Sequence, residues 1–295
     1  MSEFDALAFL SSKRLIQASN GVRLEPLKGG YWNEVYRIQG DGFDWVLKRF
    51  YQEALRARLY PMLPDSEALA LKTLKGKALA PEFVAYFPAQ EHERAVLIYH
   101  YVPGSLYSGN IANIATLMRQ LHKLDVADAP FRVLPQTPEE ILKQADELLA
   151  ASQDDELGRN LKALRPEAIA MPLVEKPSLV HTDAWIGNFI GENNQLRLID
   201  WQCPGLGDPA EDIWTFLESG FQQLINLPLY STTEKVSFLE TYADETLKKR
   251  LELLRPYFAY RVAAHCVMRI QDFKDRPQDK KAYETVLETV LEQLT

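Results

Sequence analysis

The chain has 295 residues, 46% of them hydrophobic and 25% charged, with a formal net charge of -8. That length exceeds what one small core needs and suits two lobes, and the composition is that of an ordinary globular protein. The acidic balance argues against a general nucleic-acid binder, which needs a basic face, while leaving room for a nucleotide held by a few local cations; it mildly suits a cationic acceptor.

In chain order, Phe4, Leu7, Ala8 and Leu10 fall at helical spacing and predict a short helix over 3–10. The same stretch is acidic early and has no long apolar core, so it does not read as a signal peptide. Asn20-Gly21 marks a turn. Alternating runs at 22–25, 34–38 and 43–50 predict three strands of an antiparallel meander, with a glycine turn at 27–33 and another turn at Gly40-Asp41-Gly42. Lys48 stands near the end of the third strand, on the face of Val46 and opposite to Arg49. Residues 52–75 read as helical, with a charged first part broken by Pro61 and Pro64. Asp65 or Ser66 can cap a second helix over 67–74, which begins on Glu67. Runs at 81–87 and 94–101 predict two more strands, the second followed by Pro103-Gly104.

Beyond Gly104 the chain turns helical. Ile114, Leu117, Met118, Leu121 and Leu124 give core spacing over 113–124, with His122 as a packed helix-end residue. Thr137, Pro138 and Glu139-Glu140 mark the start of a helix over 138–152, and 154–166 reads as helix or part-helix. Further helices are expected at 209–219, 233–242, 244–271 and 278–294. No run of about eighteen apolar residues occurs, so no membrane-spanning helix is expected. The two cysteines, Cys203 and Cys266, form neither a disulfide framework nor a zinc spacing. Free thiols in a reducing, cytoplasmic setting are expected.

Between these helices lies the stretch that organises the chain, residues 179–212. Leu179-Val180 is a short apolar run and Leu196-Arg197-Leu198-Ile199 alternates. With Gly191-Glu192-Asn193-Asn194 as turn chemistry between them, the two runs predict a hairpin. That brings Asp183, Asn188 and Asp200 to one end of a small sheet. Together they make an oxygen-rich site for a hard cation, and magnesium takes few protein ligands and leaves room for phosphate oxygens. Asp183 can then accept a proton from an incoming hydroxyl. Singly, each of the three is also an ordinary turn or strand-end residue. Jointly they match the kinase arrangement of a loop Asp as base and a loop Asn and later Asp on the metal.

Residue by residue, this stretch resembles the aminoglycoside phosphotransferase and choline kinase family. The family's H-x-D-x-x-x-x-N is here His181, Asp183 and Asn188; its I-D-[FW] is Ile199-Asp200-Trp201; its G-D-P-x-x-D is Gly207-Asp208-Pro209 and Asp212. The resemblance spans about residues 26–220. It implies an α+β, two-lobed, protein-kinase-like fold, with an antiparallel β-sheet N-lobe over 1–102 and a mostly helical C-lobe over 103–295. It implies ATP and Mg2+ as cofactors, Asp183 as catalytic base, and Asn188 and Asp200 as metal ligands. Lys48 would hold the phosphates and pair with Glu67, which otherwise reads as a first-turn acid favoured by the helix dipole. Val35 and Val46 would cover the adenine, Tyr99 would stand at the gatekeeper place, and His100 and Val102 would meet the adenine edge through their main chain. The glycine turn stands where the family has its nucleotide-binding loop, with Asn33 at the place of the third protein-kinase glycine. Asp212 would brace the catalytic loop through backbone N–H groups, Asp208 would order the turn, and His181 would fix the loop; none of the three is assigned to the metal.

The activity implied is transfer of the γ-phosphate to a hydroxyl of a small molecule, such as an aminoglycoside, choline or ethanolamine. Trp185, Trp201 and Trp214 lie near the motif and can form a cation–π cage for a quaternary amine, or simply pack the core. Glu218, Phe221, Tyr260 and Asp272 are further candidates for the acceptor site. A protein kinase is disfavoured because Trp201-Gln202 follows Asp200 and no Ala-Pro-Glu closes an activation segment. A silent nucleotide-binding module is disfavoured by the intact set of Lys48, Asp183, Asn188 and Asp200.

Overall fold

The computed structural model describes residues 4–17, 21–27, 33–51, 59–91, 93–126, 128–191 and 195–294. Most of the expected glycine turn, the charged start of the 52–75 segment and most of the 191–194 turn lie outside the described residues.

Helix α1 (Ala6–Ser12) is capped by Asp5, whose carboxylate accepts from the Leu7 and Ala8 N–H groups. Strands β1 (Arg23–Pro26), β2 (Asn33–Gly40) and β3 (Phe43–Phe50) follow, then α2 (Pro64–Leu74), β4 (Phe83–Phe87) and β5 (Val96–His100). The sheet order is β1-β2-β3-β5-β4, and each neighbouring pair is antiparallel. Alternation gives the sheet two faces. Ile38, Leu47, Val96 and Ile98 pack with Ala6 and Leu10 of α1. Phe50 and Leu97 belong to the opposite layer, with Ala68, Leu71 and Leu74 of α2. Lys48 shares that second face, opposite Val35 on β2 and Leu97 on β5.

Helix α2 begins earlier than the sequence implies. Pro64 stands in its first turn and Leu63 at the cap, with no side-chain cap bond, so neither Asp65 nor Ser66 caps it. Proline starts a helix well because its missing N–H is one that would have no partner there anyway. Of the expected charged first part only its end is described, and residues 59–63 are not helical. Leu59 and Met62 are buried, and Leu59 joins a core made mainly of later helices.

The helical part comprises α3 (Ile111–His122), α4 (Pro138–Ala151), α5 (Glu156–Ala163), α6 (Ala210–Leu217), α7 (Ser219–Gln223), α8 (Thr232–Tyr242), α9 (Glu245–Asp272) and α10 (Pro277–Leu291). Thr137 and Glu140 form a reciprocal capping box at the start of α4. Ile141 and Leu148 of α4, Phe258 and Val262 of α9 and Val286 of α10 build one apolar core. Another core runs from α2 through α3 to Phe189, Leu198 and Trp201, so the sheet and the helices share buried surface. No described helix is long and apolar enough to cross a membrane.

The short strands between α5 and α6 correct the expected hairpin. β6 (Ser178–Val180) pairs with β9 (Gly205–Gly207), and β7 (Phe189–Ile190) pairs with β8 (Arg197–Leu198). The run at 179–180 therefore does not meet the run at 196–199. The reason lies in the intervening chain: a 3-10 turn at Ile186–Asn188 reverses it and buries Phe189, which then makes the tighter hairpin with Leu198. β9 is a strand of glycines because Leu134 lies against it. A Cβ on Gly205 would sit 2.6 Å from the Leu134 side chain, and one on Gly207 would sit 2.9 Å away.

Helices α6 and α9 are locked by a buried ion pair, Glu211 Oε1 to Arg261 at 2.6 Å, with Gln144 of α4 accepting from the same guanidinium at 3.0 Å. Removing one partner of such a pair strands the other charge, at a cost of about 3–5 kcal/mol. Arg261→Met is expected to lower the unfolding free energy by about that amount in urea melts, and Arg261→Met with Glu211→Leu to recover much of it. An unchanged midpoint in the single variant would show that the pair contributes nothing net.

Candidate active site

The side chains of one motif and one distant strand meet at the junction of sheet and helices. Lys48 is 3% exposed, and its Nζ lies 3.0 and 2.9 Å from the two carboxylate oxygens of Glu67 and 2.5 Å from Asp200 Oδ1. Strand alternation turns Lys48 inward, and the first turn of α2 turns Glu67 to meet it. Burial alone would lower the Lys48 ammonium, but Asp200 and Glu67 more than offset it and raise it above the usual lysine range. Arg49, on the opposite face, pairs instead with Glu34 at 2.8 Å. Asp200 itself has a positive φ of 62°, a conformation that Asp tolerates better than most residues.

Asp183 follows Thr182, whose φ of 70° is strained for a β-branched residue. Asp212, fully buried, holds that bend. Its Oδ1 accepts from the Thr182 N–H at 2.8 Å and its Oδ2 from the His181 N–H at 2.9 Å. His122 Nε2 donates to the same carboxylate at 3.0 Å, and Tyr242 stands 2.9 Å from the other ring nitrogen. The His181 Nε2–H donates to the Ile199 carbonyl at 3.0 Å, and burial lowers that imidazole, so it stays neutral and ties the loop to the chain just before Asp200. Asp208 accepts from the Ala210 N–H at 2.9 Å and from Arg250 at 2.5 Å, ordering the start of α6.

The Asn188 amide donates to the Asp183 carbonyl at 2.7 Å and to its carboxylate at 3.2 Å. Burial first, and the Asp200 charge second, push the Asp183 carboxyl up to about 8. With the Asn188 nitrogen committed to Asp183, its oxygen accepts no hydrogen bond among the described residues. The Asp200 side chain is 37% exposed, and only its Oδ1 is bonded to Lys48. One amide oxygen and one carboxylate oxygen thus remain, which suits a hard cation that keeps most of its other oxygens from water or phosphate. No cluster of three or more His, Cys, Asp or Glu fit for a metal occurs among the described residues.

On the sheet side, Val46 is buried and Val35 half-buried, the latter directly across from Lys48. Tyr99 shares their layer, opposite Val46. His100 is exposed, and its main-chain N–H is taken by the Glu82 carbonyl at 2.8 Å, so that group is not free for a ligand. Val102 lies two residues on and is half-buried; with His100, Ala80 and Arg197 it borders a hollow of about 150 Å³.

A cavity of about 200 Å³ opens beside Asp183, walled by Trp185, Gln202, Phe221, Tyr60, Met62, His265, Arg269 and Tyr283 among others. Of the expected acceptor residues, only Trp185 and Phe221 stand in it. Trp201 is 1% exposed and donates to the Leu198 carbonyl, and Trp214 packs on Phe258 and Phe221. Both are core residues, so the three tryptophans form no cage. Glu218 is bonded to Gln293, Tyr260 is buried and Asp272 pairs with Arg269 outside the cavity wall. Tyr60, His265, Arg269 and Tyr283 were missed because they come from three segments far apart in the chain, and the i, i+4 pair His265 and Arg269 lies in a helix whose spacing reads as core.

The model of the phosphotransferase enzyme family matches residues 23–254. Over 123 residues the chain is 28% identical to a LicA homolog of Metamycoplasma hominis; the match takes in 41% of this chain and 44% of that protein, so the chain spans less than half the length of this curated relative. Among solved structures, a choline/ethanolamine kinase family protein from Mesorhizobium loti superposes with a TM-score of 0.70 at 19% identity, over 98% of this chain and 93% of that one. A putative aminoglycoside phosphotransferase from Ralstonia eutropha gives 0.68 at 14% identity, over 98% and 99%. At such identities these two likenesses concern the fold, which is α+β with an antiparallel sheet followed by helices. With most of its length covered by the family's model, this chain belongs to the phosphotransferase enzyme family.

Proposed function

We propose that the chain is an ATP- and magnesium-dependent kinase that moves the γ-phosphate to a hydroxyl of a small molecule. Family membership supports the reaction class. The observation that carries the rest is the Lys48 ammonium held between Glu67 and Asp200, with Asp183 facing a cavity beside them. In this reading residues 1–102 bind the nucleotide and 103–295 supply the loop and the acceptor site. Val35 and Val46 cover the adenine, and the His100 carbonyl and the Val102 main chain meet its edge. Lys48 neutralises phosphate charge as a point cation, and Glu67 fixes its position.

Asn188 and Asp200 would hold magnesium, which when bound offsets the charge that spreads over the phosphoryl oxygens. Asp183 accepts the proton of the acceptor hydroxyl as its oxygen forms the new bond to phosphorus and the bond to the ADP oxygen breaks. Asn188 and Gln202, bonded to the Asp183 carboxylate, keep it aimed at the cavity. Most of the acceleration comes from positioning and fixed charge rather than covalent chemistry. Cys203 and Cys266 are buried and unpaired, which suits a reducing, cytoplasmic setting where ATP is also at hand.

Asp183→Ala is expected to cut turnover by at least about a hundredfold while ATP affinity stays within a few-fold, as read by steady-state kinetics and nucleotide titration. Full turnover in that variant would remove Asp183 as base. Asp200→Ala is expected to abolish the gain in nucleotide affinity that magnesium gives; an unchanged gain would take Asp200 off the metal. The reading as a whole is tested by offering purified protein, ATP and magnesium a set of small hydroxyl compounds and one protein substrate. Phosphate on a small compound supports it, and phosphate on the protein alone replaces it with a protein kinase.

A further inference from the structure

Asp212 holds the bend before Asp183, and Asp212 must itself be held. Its buried carboxylate takes three N–H donors: the Thr182 main chain at 2.8 Å, the His181 main chain at 2.9 Å and His122 Nε2 at 3.0 Å. Two of these belong to the loop. Among the described residues His122, at the end of α3, is the donor from outside it. A neutral imidazole has a single N–H, so Nε2 can donate only while Nδ1 serves as an acceptor.

Tyr242, the last residue of α8, stands where that choice is made. It is 4% exposed, and its hydroxyl lies 2.9 Å from His122 Nδ1. The two rings are tilted by 52° with centres 5.9 Å apart, which suits a bond at the imidazole edge rather than a stack. That hydroxyl has no other hydrogen-bond partner among the described residues. Burial first, with the Asp244 and Asp212 charges behind it, raises the phenol above its usual range, so it keeps its proton. Buried polar groups are nearly always paired, and the one acceptor in reach of this proton is Nδ1. A proton on Nδ1 would strand the one on the hydroxyl. The donors therefore run one way, from Tyr242 to His122 to Asp212. Phe238, one turn back on α8, shares a core with Leu117 and Leu121 of α3, which keeps the end of α8 against His122.

We propose that Tyr242 is a positioning residue for phosphoryl transfer: its hydroxyl holds the His122 imidazole in the Nε2–H tautomer, so that Asp212 keeps Thr182 in its left-handed bend and Asp183 at the cavity. This deepens the kinase reading and rests on it. Tyr242 borders neither the cavity beside Asp183 nor the hollow at Val102, so it acts on the rate of transfer and not on binding. Without the hydroxyl, Nδ1 loses its donor, the ring is free to turn or to move its proton, and the third bond to Asp212 loosens.

The test uses the purified full chain with ATP, magnesium and whichever of choline, ethanolamine, kanamycin, glycerol and ribose it phosphorylates best. Tyr242→Phe keeps the ring and removes the hydroxyl. It is expected to lower kcat by about tenfold, with the KM values for ATP and acceptor within about twofold, because only the placement of Asp183 is disturbed. His122→Phe breaks the same line of donors and is expected to lower kcat at least as far. Adding Tyr242→Phe to it is expected to cost no more than about twofold further, since residues that act as one unit are not additive. A merely structural loss would appear again in full in that background. Losses that multiply in the double variant overturn this inference and leave the kinase reading standing, and so does an unchanged kcat in Tyr242→Phe. The nitrogen-15 shifts of His122 in the parent give a second reading: an unprotonated, hydrogen-bonded Nδ1 is expected, and a proton on Nδ1 overturns the inference. If either variant does not fold by thermal unfolding, that measurement decides alone. Silence from every acceptor in the parent overturns the kinase reading, and this inference falls with it.

Discussion

The Lys48 ammonium lies between a carboxylate of α2 and a carboxylate that follows β8, so one buried cation joins the sheet, its helix and the loop chemistry. Taking a charge of this kind out of water costs several kcal/mol, and only close partners of opposite sign offset it. Here the partners exceed what one ammonium can balance. Glu67 and Asp200 set two carboxylates against a single lysine, and Asp200 also raises the nearby Asp183 carboxyl. Such an excess of negative charge in a half-buried site is unfavourable by itself and favourable once a divalent cation is present.

That cluster is useful only if its loop is held, and the loop is held against its own preference. Thr182 sits in a left-handed conformation that costs a β-branched residue on the order of 1–3 kcal/mol. The compensation comes from Asp212, which is buried with no basic side chain other than His122 bonded to it among the described residues and is satisfied by two backbone N–H groups and that imidazole. Thr182 Oγ1 adds a bond to the Cys203 carbonyl at 3.1 Å. The strain places Asp183 at the mouth of the cavity while His181 points back to Ile199. Support and chemistry thus alternate residue by residue along His181-Thr182-Asp183.

How much of this could be read from the residues depends on how far apart in the chain the cooperating groups lie. Asp183, Asn188, Asp200 and Asp212 sit within one short stretch, where spacing nearly dictates geometry. Lys48 was legible because strand alternation fixes which face it takes. The pairing of β6 was not, because its partner β9 reads Gly205-Leu206-Gly207, and glycine carries no strand signal; the glycines answer to Leu134, 71 and 73 residues earlier in the chain but in contact with them. Trp201 and Trp214 stayed ambiguous, between cage and core, for a different reason. Residue type says that a tryptophan has a large apolar body, and only packing says whether that body lines a cavity or fills a core. The acceptor wall was the least legible part: Tyr60, His265, Arg269 and Tyr283 converge from three remote segments, and nothing local marks them.

The segment 59–63 ties these two kinds of residue together. Leu59 is packed among the later helices, Tyr60 stands on His265, and Met62 lines the cavity, immediately before Pro64 opens α2 and turns Glu67 toward Lys48. The Leu63 N–H donates to the Gln202 carbonyl at 2.9 Å, and the Gln202 side chain reaches the Asp183 carboxylate at 3.4 Å. Gln202 therefore touches the connection to Glu67 through its main chain and Asp183 through its amide. A displacement of Leu63 changes the aim of α2 and the surroundings of Asp183 in one movement, because the same two residues border both. The Lys48–Glu67 pair and the cavity beside Asp183 are, in this chain, built on a shared piece of backbone rather than on two lobes that meet only across a cleft.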